Sequence, residues 1–322
     1  MSQRREVPGW LLERLACPGC SNPRFERAGE DLECTSCGAR YPVVEGRVPV
    51  FMPHEHKRGA TEAESEGERR RARQAAFFDD EAEPEYEVTR PHGVPLVFGS
   101  LLVGKLRLGI QGLEGYLPEG TALTVCGGSG MDAEYLARHG ARVVCADISL
   151  GAVRRAEERA RRFGLELAPV VADAERLPFA SLSFDLVYVH DGLHHLEDPL
   201  GALSEMARVA SGAVSVNEPA AATLTRVAVR IGLAQDEEEA GNLVRRLQPK
   251  AVSSVLRSHG FDPFAVERYA MLYRHEPGPL YRMLSRRTLA GPSLAALQLT
   301  DRVLGNVGNK LSVRAVRVRT GD

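Results

Sequence analysis

Residues 121–140, TALTVCGGSGMDAEYLARHG, decide how this chain folds. The stretch opens with a short apolar, β-prone run over 121–126 and passes through Gly127, Gly128, Ser129 and Gly130. Beyond the glycines, Met131, Tyr135, Leu136 and Ala137 recur at helical spacing, and Gly140 reads as a C-cap. A strand, a glycine turn and a helix in that order let backbone amides approach a ligand closely. Gly128-x-Gly130-x-x-Ala133 also satisfies the dinucleotide fingerprint in its G/A form, so the turn alone leaves the ligand unnamed.

Downstream, the pattern alternates between strand and helix. Strand 121–126 precedes helix 130–139, and strand Arg142–Asp147 precedes helix 150–163. Strands at 166–172 and Phe184–His190 follow. Asp198-Pro199 then forms an N-cap and N1 pair for helix 199–210, and a fifth strand spans 213–218. Such alternation predicts a parallel sheet with helices on both faces and ligands at the carboxyl ends of the strands. Those ends carry the informative residues. Asp147, 17 residues after Gly130, is placed to accept both hydroxyls of a ribose. Asp173 closes the third strand. His190 and Asp191 close the fourth and are followed by His194 and His195; Asn217 and Glu218 close the fifth. A nicotinamide enzyme accounts for the turn and Asp147, but makes no use of Asp173 or of the histidine-rich fourth strand end.

Upstream, residues 11–53 hold Cys17-x-x-Cys20 and Cys34-x-x-Cys37, separated by 13 residues. Two such knuckles turn four sulfurs toward one ion, the pattern of a tetrahedral structural zinc site with no open position for catalysis. The segment between them is too short and polar to build a core, so the metal would supply folding energy. Residues 54–85 are charged and nearly free of large apolar side chains before Phe77 and Phe78, which predicts a linker turning helical over 62–78. Arg69, Arg70, Arg71 and Arg73 read as a solvated helix face, with phosphate contact as the alternative. His54 and His56 read as exposed linker residues. An amphipathic helix is expected over 96–109, a sixth strand over 265–273 and an antiparallel seventh over 310–318.

At 322 residues there is room for one large domain and a small one. A charged fraction of 26% and a net charge of −2 exclude a general pull toward nucleic acid and leave only local patches. The run 94–110 is broken by Gly99, Gly104, Lys105 and Arg107, so no membrane span is expected. The N-terminus lacks a signal-peptide core, and Cys126 and Cys145 lie in predicted buried strands. A cytoplasmic location follows as the expectation.

Two stretches resemble known families. LLERLACPGC, with LECTSCGARYPVVEGRVPVF, resembles the small zinc-ribbon proteins that activate tRNA and protein methyltransferases. The resemblance covers about 45 residues and implies a ribbon packed against a methyltransferase, here on the same chain. VADAERLPFASLSFDLVYVHDGLHHLEDPLGALSEMARV, residues 171–209, resembles the middle of a class I S-adenosylmethionine-dependent methyltransferase; with 121–149 the match spans roughly 90 residues. The resemblance implies that Gly128 and Gly130, with Cys126 and Gly127, face the methionine part of the cofactor. Asp147, with Ile148 beside it, would bind the ribose, Asp173 and Ala174 would meet the adenine, and His190 would line the cofactor. The sequence departs from that family twice: Thr124 stands where an acidic residue is usual, and Cys126 where glycine is usual. The usual acid holds the cofactor's amino group or orients the turn, so those contacts must come from elsewhere.

The expected fold is therefore α/β, a Rossmann-like seven-stranded, mostly parallel methyltransferase sheet with helices on both faces, plus a small N-terminal zinc ribbon. The expected division is a ribbon over 1–56, a charged linker or helix over 57–85, and a methyltransferase domain over 86–322 with helical insertions at 220–248 and 274–308. The expected activity is in-line methyl transfer from S-adenosylmethionine to oxygen or nitrogen of a small molecule, with Zn2+ structural. Candidate bases are His190, Asp191 and His194. One alternative is methylation of rRNA or tRNA bases with the ribbon holding RNA; another is a cofactor-degenerate partner-binding scaffold. A homo-oligomer is compatible with the sequence, and no membrane partner is expected.

Overall fold

The computed structural model describes residues 6–52, 62–80, 83–221, 245–271, 276–304 and 307–318. His54, His56 and nearly all of the expected insertion at 220–248 lie outside the described residues.

Seven strands form the central sheet: β5 (Thr121–Val125), β6 (Arg142–Asp147), β7 (Leu167–Ala172), β8 (Phe184–His190), β9 (Ala210–Pro219), β10 (Phe261–Tyr269) and β11 (Lys310–Arg317). Their order is β7-β6-β5-β8-β9-β11-β10, parallel except for β11, which is antiparallel to both neighbours. The five parallel strands are buried on both faces and read as apolar runs such as VVCA and LVYV. The order reverses between β5 and β8, so the crevice opens above the glycine turn and the end of β8.

The ribbon does not stand apart from this sheet. Its strands β1 (Phe25–Ala28), β2 (Asp31–Cys34), β3 (Arg40–Val44) and β4 (Val48–Phe51) form antiparallel hairpins. β4 then pairs in parallel with β7, Val50 with Val171 and Phe51 with Ala172. Sheet order thus runs through eleven strands, the expected seven joined edge-on by the ribbon's four. The reason is the edge: β7 would otherwise leave backbone donors and acceptors unpaired. Leu11, Leu15 and Phe51 of the ribbon share one core cluster with Ala172, Leu177 and Phe179. The backbone seals the same seam, with Ala16 N donating to Pro178 O at 2.9 Å and Ala180 N to Arg14 O at 2.9 Å.

Two further expectations are corrected. The sixth strand starts at Phe261, four residues before the predicted 265. Gly260, at φ +78°, turns the chain straight out of helix Pro249–Ser258, and burial of Phe261 at 1% exposure anchors the strand there. The charged stretch forms the expected helix, Glu62–Asp79, followed by Pro84–Thr89, but Asp79 fastens it to the N-terminus of helix Leu150–Phe163, so it is not a loose linker. Among the described residues no helix is long and apolar enough to cross a membrane.

Candidate functional site

The glycine turn leaves β5 through Cys126, whose φ of +52° lies in the left-handed region that favours glycine. The side chain is accommodated because its neighbour across the crevice has none. A Cβ on Gly192 would sit 2.4 Å from Cys126 Cβ. Gly127 has no room either: its Cβ would lie 2.7 Å from both Cys145 Sγ and Thr124 Oγ1. Gly130, at φ +77°, starts helix Met131–Arg138.

Asp147 ties the turn to the end of β6. Its Oδ2 accepts from Gly128 N and its Oδ1 from Ser149 N, both at 2.9 Å. Burial pushes its carboxyl above the usual range, against those two amides. Each oxygen keeps a second lone pair, so the carboxylate is still able to accept a pair of ribose hydroxyls. Asp173 Oδ1 accepts from Glu175 N at 2.9 Å, and its Oδ2 lies 3.4 Å from Arg71 Nε. Ile148 and Ala174 line the same cavity, which measures about 900 Å³. That is the upper end of ordinary ligand pockets, with room for two small ligands.

Helix Glu62–Asp79 roofs this cavity. Arg70 pairs with Glu197 at 2.6 Å, Arg71 reaches Asp173, and the Phe78 ring stands 5.7 Å from that of His195. Asp79 Oδ1 accepts from Ser149 Oγ at 2.6 Å and Gly151 N at 2.7 Å. Arg69, Arg70 and Arg73 are exposed, as expected of a solvated face, whereas Arg71 is half-buried and turned toward Asp173 and Glu175 of the same chain. The only sequence signal was the Phe77-Phe78 pair at the end of a charged run.

The far end of the cavity is built from the ends of β8, β9 and β11. Asp191, at φ +51°, bridges Lys105 Nζ at 2.5 Å and Lys310 Nζ at 2.6 Å. Although burial works against ionisation, those ammoniums hold its carboxyl well below the usual range, which makes it a weak base. His190 lies beside it with Nε2 3.5 Å from Asp191 Oδ2. Burial, then Lys105, keeps its imidazole neutral, well below its ordinary pKa. His194 Nδ1 is 2.8 Å from Glu218 Oε2, and Glu218 Oε1 also accepts from Gly192 N and Leu193 N at 2.8 Å. The structure thus brings His190, Asp191 and His194 to one wall, with Asp191 held by two lysines, His194 held by Glu218, and His190 Nε2 making no hydrogen bond among the described residues. Glu218 is marked in the sequence as a strand-end acid, whereas Lys105 and Lys310 are not singled out there as parts of this wall. The two lysines stand 86 and 119 residues from Asp191 and carry no local motif.

In the ribbon, Cys17, Cys20, Cys34 and Cys37 bring their sulfurs within 4.8 Å of one another. Cys17 and Cys37 are 3.6 Å apart and Cys20 and Cys34 3.5 Å. Tetrahedral zinc with thiolate bonds of about 2.3 Å sets sulfurs about 3.8 Å apart, so the four fit that ion. Burial opposes ionisation of Cys34, but the amides of Cys37 and Ser36 bring its thiol down to about 6. Tyr41 Oη lies 3.2 Å from Cys17 Sγ, where a hydroxyl donates to a thiolate.

Residues 123–213 match the family described as methyltransferase domain. The chain is 35% identical over 135 residues to a demethylmenaquinone methyltransferase of Renibacterium salmoninarum, covering 42% of this chain and 53% of that protein. It is 42% identical over 95 residues to one of Beutenbergia cavernae, covering 30% and 38%. The chain thus spans about half or less of the length of these relatives. Among solved structures it resembles magnesium protoporphyrin IX methyltransferase of Synechocystis PCC 6803 with bound SAH, at TM-score 0.53, 18% identity and coverage of 77% and 100%. It also resembles the [4+2]-cyclase SpnF at TM-score 0.52, 17% identity and coverage of 76% and 94%. At such identities the likeness is one of fold, and the two printed activities differ. Residues 123–213 thus match the methyltransferase-domain family, and the sheet that holds them has the α/β Rossmann-like fold of the solved methyltransferase it resembles.

Proposed function

We propose that this chain is an S-adenosylmethionine-dependent methyltransferase acting on a small molecule, with zinc held structurally by Cys17, Cys20, Cys34 and Cys37. The single observation that carries the reading is the continuous cavity. It runs from Gly128 and Asp147 at the turn to His190, Asp191 and His194 at the far wall. S-adenosylmethionine bound at the turn supplies an electrophilic methyl group for in-line transfer. Gly127 and Gly128 face its methionine part, with Cys126 beside them and Gly130 opening the helix. Asp147, with Ile148, holds the ribose, Asp173 and Ala174 meet the adenine, and His190 lines the cofactor. The roof helix excludes water from above.

The acceptor is an oxygen or nitrogen on a small molecule, and His194 is the base. Its Nδ1 donates to Glu218, which fixes the ring and leaves Nε2 as the nitrogen that takes up a proton. The relatives are named for demethylmenaquinone, which gains its methyl on a ring carbon, so an acceptor screen includes quinols of that size as a carbon-acceptor arm beside hydroxylated and amino compounds. RNA methylation draws less support, because Arg70 and Arg71 face Glu197 and Asp173 of the same chain.

Calorimetric titration of the zinc-loaded chain with S-adenosylmethionine and S-adenosylhomocysteine tests the reading. Micromolar binding, weakened at least about tenfold in Asp147→Ala, is the expected result; tenfold corresponds to about 1.4 kcal/mol. A folded, zinc-loaded chain that binds neither compound overturns it.

A further inference from the structure

The acidic residue expected at the end of β5 is replaced by Thr124, which is fully buried. A different carboxylate stands on the other side of the glycine turn. Asp132, in the first turn of helix Met131–Arg138, is only 5% exposed and lines the cavity together with Gly128 and Asp147. Its helix begins directly after the turn, capped by Gly130, and on the strand side of that turn Thr124 Oγ1 crowds Gly127. Asp132 Oδ1 accepts from Ala133 N at 2.8 Å. Among the described residues no cation forms an ion pair with it; Arg159, whose charge reaches Asp132, is itself engaged by Glu134 at 2.7 Å. A buried carboxylate that faces a ligand cavity and has no ion-pair partner among the described residues is a site for a ligand cation.

We propose that Asp132 holds the ammonium of the cofactor's methionine part, making from the helix the contact that Thr124 leaves unmade. The proposal rests on the donor site described above. The chemistry is specific: a single primary ammonium beside a thioether or sulfonium, delivered at the turn. The adenosine half, at Asp147 and Asp173, is untouched by it. Burial raises the Asp132 carboxyl to about 7, and a ligand ammonium would restore its charged form.

Two ligands separate this contact from the rest of the pocket. S-adenosylhomocysteine carries the ammonium; 5′-methylthioadenosine has the same nucleoside and sulfur but no amino-acid part. Both are titrated by calorimetry into the full zinc-loaded chain and into Asp132→Asn. The expected result is at least tenfold weaker S-adenosylhomocysteine binding in the variant, with methylthioadenosine within twofold of the parent. Should Asp132→Asn not fold, Asp132→Ser, which keeps an oxygen for the Ala133 amide, takes its place with the same expectation. Equal weakening of both ligands overturns the proposal, because Asp132 would then shape the pocket and not hold the ammonium. No change for either ligand overturns it as well. If the parent chain binds neither ligand, it is the donor reading itself that fails.

Discussion

At the scale of single residues, Asp132 works against the fold that holds it. Its carboxyl ionises at about 7 in place of its ordinary 3.8, because burial disfavours the charge. Between those two values the folded chain keeps a proton that the unfolded chain has released. The contribution of Asp132 to stability is therefore greatest below about 4 and falls as pH rises toward 7. Asp132→Asn removes this slope. The variant is expected to be more stable than the parent by roughly 1–3 kcal/mol at pH 8, with the gain gone near pH 4. Urea unfolding at the two pH values measures it, and a variant less stable at pH 8 would contradict it. A destabilising buried acid is what a binding site retains at the expense of stability. Nothing local marks Asp132 in the sequence, where an acid in the first helical turn reads as an ordinary favourable charge. Cys126 is the opposite case. Its departure from glycine is visible in the sequence, but the reason it is tolerated, the empty space at Gly192, is visible only in three dimensions.

At the scale of elements, helix Glu62–Asp79 is the part whose role changed most between sequence and structure. Its arginines are spaced like a solvated face, yet Arg70, Arg71 and Asp79 all reach the sheet domain. Asp79 adds a carboxylate to the N-terminus of helix Leu150–Phe163, whose own cap is Ser149 accepting from Ala152 N. Asp79→Ala is expected to loosen the roof at a cost of about 1 kcal/mol without unfolding the sheet. Trypsin should then cut among Arg69, Arg70 and Arg73 several-fold faster than in the parent. Added S-adenosylhomocysteine should slow the cutting. An unchanged cleavage rate would show that the roof is held by other contacts. The strands, by contrast, were legible: β6 and β8 match the expected ranges, because buried parallel strands are apolar runs bounded by polar ends. β10 was displaced because alternation alone does not locate the residue at which a glycine turn releases the chain.

At the scale of the whole molecule, the zinc ribbon and the methyltransferase sheet share a core and a strand pairing. Removing the metal should therefore destabilise more than the ribbon. A strong chelator is expected to lower the midpoint of thermal unfolding by at least about 5 °C, in a single transition that includes the sheet. Two transitions, the later one unshifted, would show that the ribbon unfolds alone. The sequence by itself determined the strand–turn–helix at 121–140, the alternation behind it, the four cysteines and the acids at the strand ends. These are local signals: a period, a spacing, a turn residue. Only the tertiary structure decided that β4 closes the edge beside β7, that Lys105 and Lys310 converge on Asp191, and that a charged helix roofs the cavity. Each of these joins residues far apart in the chain. Burial, charge pairing and edge satisfaction depend on which surfaces meet, and no local pattern encodes that.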